Sequence, residues 1–85
     1  MVLYYLYVIK SLKNGYLYIG ISRDPMKRLK QHNAGMTHST KKGRPFKLIY
    51  QEECGTRLEA RQREKFYKSG CGRELLKQKL EDSLS

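Results

Sequence analysis

The sequence predicts an α+β domain: a small three-stranded antiparallel sheet flanked by helices, in the order β-β-α-β-α-α. Three observations predict it. Apolar residues and tyrosines alternate twice near the start, on either side of a Lys13-Asn14-Gly15 turn signal. Two helix-start signatures follow, Asp24-Pro25 and Thr56-Arg57-Leu58-Glu59. At 85 residues, the chain has room for one domain, expected to span 1–85.

The first strand is expected over residues 4–9, with Leu6 and Val8 on one face and Tyr5, Tyr7 and Ile9 on the other. Residues 16–21 repeat the pattern: Leu17, Ile19 and Ile21 oppose Tyr16, Tyr18 and Gly20. Pairing Tyr7 with Tyr18 puts the tyrosines on one face and the aliphatics on the other. Tyrosines in place of phenylalanines argue against a wholly buried layer there, because each hydroxyl needs a partner. Asp24 caps a helix that runs to Asn33 or Ala34 and stops at Gly35. Met26 and Leu29 mark its expected buried stripe, and Arg28 and His32 share a flanking face one turn apart. Residues 35–44 read as a polar, basic loop, followed by a third strand over 46–50. The second helix runs from Thr56 to about Ser69, with Glu64 on its inward face between Ala60 and Tyr67. Gly70 and Gly72 separate it from a third helix over 73–84.

Charge narrows the function. Eighteen Lys and Arg against eight Asp and Glu leave a net +10, the electrostatic footprint of a polyanion binder. The cations are spread along the chain without a basic tail, so the binding surface is expected to be part of the fold. Lys27, Lys41, Lys42, Arg44, Arg61 and Lys68 are the candidate nucleic-acid contacts. No apolar run approaches the roughly 20 residues needed to span a bilayer, and no signal peptide is read. Cys54 and Cys71 make no disulfide framework and suit a reducing cytoplasm. A zinc site would have to borrow His32 and His38, and no C-x-x-C or H-x-x-x-H spacing supports one.

The motifs Tyr5-Leu6-Tyr7-Val8, Leu17-Tyr18-Ile19-Gly20-Ile21-Ser22 and Lys27-Arg28-Leu29-Lys30-Gln31-His32-Asn33 stand in order. Gly43-Arg44-Pro45, Leu48-Ile49-Tyr50 and Glu59-Ala60-Arg61-Gln62-Arg63-Glu64 follow. In order and spacing these segments resemble the GIY-YIG nuclease superfamily, above all its small stand-alone bacterial members, over residues 3–80. The first motif departs from the pattern in having no glycine, but Tyr7 stands where the family tyrosine would.

The resemblance implies a metal-dependent endonuclease acting on nucleic acid, DNA more than RNA, with DNA repair a process it would serve. Its catalytic residues would be Tyr7, Tyr18, Arg28, His32 and Glu64. Glu64, the one carboxylate among the matched site positions, would hold Mg²⁺ or Mn²⁺. Its plain alternative is a salt bridge to Arg61 or Lys68. Arg28 would grip the scissile phosphate. Either Tyr7 or Tyr18 would be the general base; a free phenol titrates near 10, so neighbouring cations would have to favour its charged form. His32 would carry a proton or donate to phosphate, and His38 is a weaker candidate for substrate contact. Two alternatives stay open: a binding module of the same fold that does not cut alone, and a structural protein of ribosomal RNA.

Overall fold

The computed structural model describes residues 2–84. The strands β1 (Tyr4–Ser11), β2 (Leu17–Ser22) and β3 (Phe46–Gly55) form an antiparallel sheet in the order β2-β1-β3, which leaves β2 with a free edge. The helices are α1 (Pro25–Asn33), α2 (Arg57–Lys68) and α3 (Gly70–Leu84). The expected α+β order is the observed one. The loop after α1 contains a short 3-10 helix, His38–Gly43, where only irregular chain was expected.

The hairpin register differs from the expected one by two residues. Tyr7 faces Gly20, Ile9 faces Tyr18 and Tyr5 faces Ser22. The turn is the cause. The Ser11 N–H donates to the Tyr16 carbonyl, so the loop includes Leu12 as well as Lys13-Asn14-Gly15. The Ser11 hydroxyl accepts from the N–H groups of Lys13 and Asn14, and Gly15 takes φ +76°, which a side chain would resist. A shift of two leaves every side chain on its expected face.

Both faces of the sheet are covered. Leu6 and Val8 pack with Cys54 and with Ala60, Tyr67 and Leu76 of α2 and α3. On the other face Tyr7, Ile9 and Phe46 pack with Tyr18, Leu48 and Leu29 of α1. Tyr7 is only 1% exposed, so part of the tyrosine layer is buried after all, its hydroxyl having found a partner. The α1 stripe also departs from expectation. Met26 is 52% exposed, while His32 is fully buried. The polar hydroxyls of Tyr7 and Thr40 lie where His32 points, and they satisfy an imidazole as a methionine could not.

β3 runs five residues past its expected end at Tyr50. Its register against β1 shifts at Ile49 and again at Cys54, each an extra residue on β3. The first bulge moves Tyr50 to the α2 face while Leu48 stays on the α1 face, which breaks the simple alternation. α3 begins at Gly70 rather than Arg73 because Gly72 lies against the carbonyl of Phe66 on α2, an approach no side chain would permit. Among the described residues no helix is long and apolar enough to cross a membrane.

Candidate active site

The site is built around the Tyr7 hydroxyl. Tyr7 sits directly opposite Gly20 on the edge strand. A Cβ at Gly20 would stand 2.5 Å from that hydroxyl, so the missing side chain is what lets the phenol cross β2 toward the open edge.

Behind the phenol lies a polar chain with a defined direction. The Thr40 hydroxyl donates to the Thr37 carbonyl at 3.3 Å, and a carbonyl can only accept. The Thr40 oxygen therefore accepts from His32 Nδ1–H at 2.7 Å. His32 Nε2 is left as the acceptor for the Tyr7 O–H at 3.0 Å. Burial holds the His32 pKa below its ordinary value, and the Arg28 charge adds to this, so the neutral tautomer persists. Asn33 secures the base of this arrangement: its side chain accepts from the Phe46 N–H and donates to the Phe46 carbonyl, tying the end of α1 to β3.

Burial pushes the Tyr7 phenol up to about 12. The Arg28 guanidinium opposes the rise, while Tyr18 and Glu64 reinforce it. Tyr7 at rest is thus a neutral phenol rather than the cation-stabilised anion that a free base would require. Gln31 orients Arg28 by accepting from Nη1 at 2.9 Å. Tyr18, half-buried, presents its ring edge-on to His32 with centroids 5.0 Å apart. His32, Tyr18 and Arg28 thus gather around Tyr7 from α1 and β2, and Glu64 of α2 is near enough for its charge to act on the phenol.

Glu64 is drawn inward as expected, its side chain 12% exposed. It also makes both alternative salt bridges, to Arg61 at 3.6 Å and Lys68 at 3.2 Å. Those partners are half-exposed and three or four residues away, so each pair contributes only about 0.3–0.5 kcal/mol and can be given up. No three His, Cys, Asp or Glu cluster among the described residues. A lone carboxylate such as Glu64 suits only a hard ion that completes its shell with water and phosphate oxygens. It does not suit zinc, and His38 is exposed whereas His32 is buried.

The remaining candidates divide into three groups. Lys27 lines a groove of about 430 Å³ together with Arg28 and Arg23. Arg61 and Lys68 flank Glu64. Lys41 and Lys42 lie on the 3-10 helix and Arg44 against Gly35. Thr40, Gln31 and Gly20 were not singled out as functional from sequence. Gly20 had a signal, in its place after Tyr18-Ile19; Thr40 and Gln31 had none. Also unforeseen is a second polar cluster, in which Glu52 accepts from the Tyr50 and Tyr67 hydroxyls, each at 2.8 Å, and pairs with Arg63 and Lys79.

A family model described as the GIY-YIG catalytic domain matches residues 3–77. A UPF0213 protein of Staphylococcus saprophyticus is 44% identical over 62 residues, covering 72% of this chain and 74% of the relative. The UPF0213 protein YazA of Bacillus subtilis (strain 168) is 39% identical over 66 residues, 76% of this chain and 66% of its own length. A UPF0213 protein of Bacillus pumilus is 40% identical over 67 residues, 78% of this chain and 67% of its own length.

Proposed function

The chain belongs to the GIY-YIG family, and from that premise we propose that it is an endonuclease, hydrolysing phosphodiester bonds in nucleic acid, DNA in preference to RNA, with the help of a divalent ion. One observation supports the reading above all: a tyrosine hydroxyl bonded to a neutral histidine lies within the fields of one arginine and one carboxylate. The net charge of +10 suits a polyanionic substrate.

In this reading Tyr7 and His32 act as a relay. An attacking water gives its proton to the Tyr7 oxygen as the phenolic proton passes to His32 Nε2. The depressed histidine pKa keeps Nε2 unprotonated and ready at neutral pH. Thr40 and Thr37 hold the tautomer, as an orienting residue does in any base–orienter pair. The Arg28 fork, steadied by Gln31, takes the phosphate oxygens. Tyr18 stands nearer solvent and contacts the substrate. Glu64 would hold Mg²⁺ or Mn²⁺, and that ion supplies charge neutralisation at the phosphate and leaving oxygen when bound.

The test compares Glu64→Gln with Arg28→Ala on branched, flapped and linear DNA and on RNA. Glu64→Gln keeps the shape and removes the charge. Its cleavage in Mg²⁺ or Mn²⁺ falls by several orders of magnitude while binding in EDTA persists. Arg28→Ala loses cleavage and also weakens binding. A Glu64→Gln protein that cuts as well as wild type removes the metal role from Glu64. Wild-type protein that binds all substrates and cuts none is a binding module.

A further inference from the structure

A groove of about 670 Å³ runs between the free edge of β2 and α3, and the mechanism above does not use it. Its floor is apolar, formed in part by Leu76 and Leu80, and Tyr16 makes one wall. Exposed Lys68, Arg73 and Lys77 supply the cations along it. Tyr16 is 71% exposed, yet its backbone is held on both sides. Its N–H donates to Asn14 Oδ1 at 2.9 Å, and its carbonyl accepts from the Ser11 N–H at 2.8 Å. The backbone is thus anchored, and the aromatic ring is left uncovered.

The groove adjoins the candidate active site. Tyr18 belongs to both, and Lys68 lines the groove while pairing with Glu64. Arg28 lines the second groove, at the other end of β2. A strand laid along the β2 edge from one groove to the other would pass Gly20, against which the Tyr7 hydroxyl lies.

We infer that this groove holds an unpaired nucleotide of the substrate, its base against Tyr16 and its phosphates on Lys68, Arg73 and Lys77. The substrate class is therefore nucleic acid that is single-stranded beside the scissile bond. A duplex keeps its base faces stacked inside and offers phosphates alone, which leaves an apolar floor unfilled. An unpaired nucleotide offers a π-face and an anion together, the pair of groups that the groove complements. A second copy of this chain would bring like charge to three cations on a protein of net +10. The inference rests on the nuclease reading only for the position of the scissile bond.

The experiment is fluorescence anisotropy in EDTA, with a labelled oligo-dT strand and a labelled duplex of equal length. Wild type is expected to bind the strand more tightly than the duplex. Tyr16→Ala weakens strand binding roughly tenfold and duplex binding by less than about twofold, and Tyr16→Phe restores the strand preference. Tyr16 is exposed, so the substitutions spare the core, which thermal melting checks. Equal losses on strand and duplex, a Tyr16→Phe protein as weak as Tyr16→Ala, or a wild-type dimer that Tyr16→Ala dissolves would each overturn the inference. Flapped and duplex DNA are then incubated with wild type in Mg²⁺. Cleavage without strand preference overturns the groove assignment and leaves the nuclease reading intact; strand preference without cleavage does the reverse.

Discussion

A buried tyrosine hydroxyl needs a partner, and here that partner is a histidine that must stay neutral to serve. The pair makes stability depend on pH in a predictable direction. The native His32 pKa lies below its ordinary 6.5, so the unfolded chain binds the proton more readily. The stability tied to a neutral His32 is complete above pH 6.5 and is lost as pH falls below it toward the lowered native value. Urea midpoints measured from about pH 7.5 down to about pH 5.5 should therefore decline. In His32→Gln, which has no titrating ring, the decline should flatten. An unchanged slope would show that His32 is already accessible to protons in the folded state. Glu52 does not confuse the measurement. Burial alone would raise its pKa, but hydrogen bonds from Tyr67 and Tyr50 and the Lys79 and Arg63 charges hold it below 4.5. Its share of stability is lost only at more acid pH.

Between elements, two contacts set where α2 lies, and α2 carries Glu64. Glu52 on β3 reaches Tyr67 and Arg63 of α2 and Lys79 of α3. Gly72 brings the backbone of α3 against the end of α2. A methyl group at Gly72 would overlap the Phe66 carbonyl, and backbone on both sides leaves little to yield. Gly72→Ala should cost about 3 kcal/mol, which lowers the melting temperature by roughly 12–24 °C. Gly70→Ala, two residues earlier, meets nothing within 4 Å and should stay within about 1 kcal/mol of wild type. Equal melting temperatures for the two variants would show that the helices are free to separate.

At the scale of the whole molecule, the proposed reading predicts that charge sets the strength of nucleic-acid binding and the β2 edge its direction. Arg23, Lys27 and Arg28 serve one groove, and Lys68, Arg73 and Lys77 the other. Six phosphates neutralised on a single strand give a slope of about −4 for log affinity against log salt. Lys77→Ala should reduce the slope by about 0.7. A titration that finds affinity independent of salt would remove charge from the account of binding.

The order of elements was legible in the residues, because alternation, caps and breakers act over a few neighbouring positions. Asp24, Thr56 and Gly35 do their work within one turn of chain. The motif positions Tyr7, Tyr18, Arg28, His32 and Glu64 were legible too, through their spacing and family resemblance. What tertiary structure alone decided is how far each contact reaches. The hairpin register depended on the Ser11–Tyr16 closure, and the face of Tyr50 on a bulge at Ile49. His32 displaced Met26 from the core because the Tyr7 and Thr40 hydroxyls meet it there, one across 25 positions and the other across 8. The groove beside Tyr16 likewise exists only once α3 lies along the β2 edge. A local pattern reveals which way a side chain points along its own element, and packing between distant elements determines what it meets.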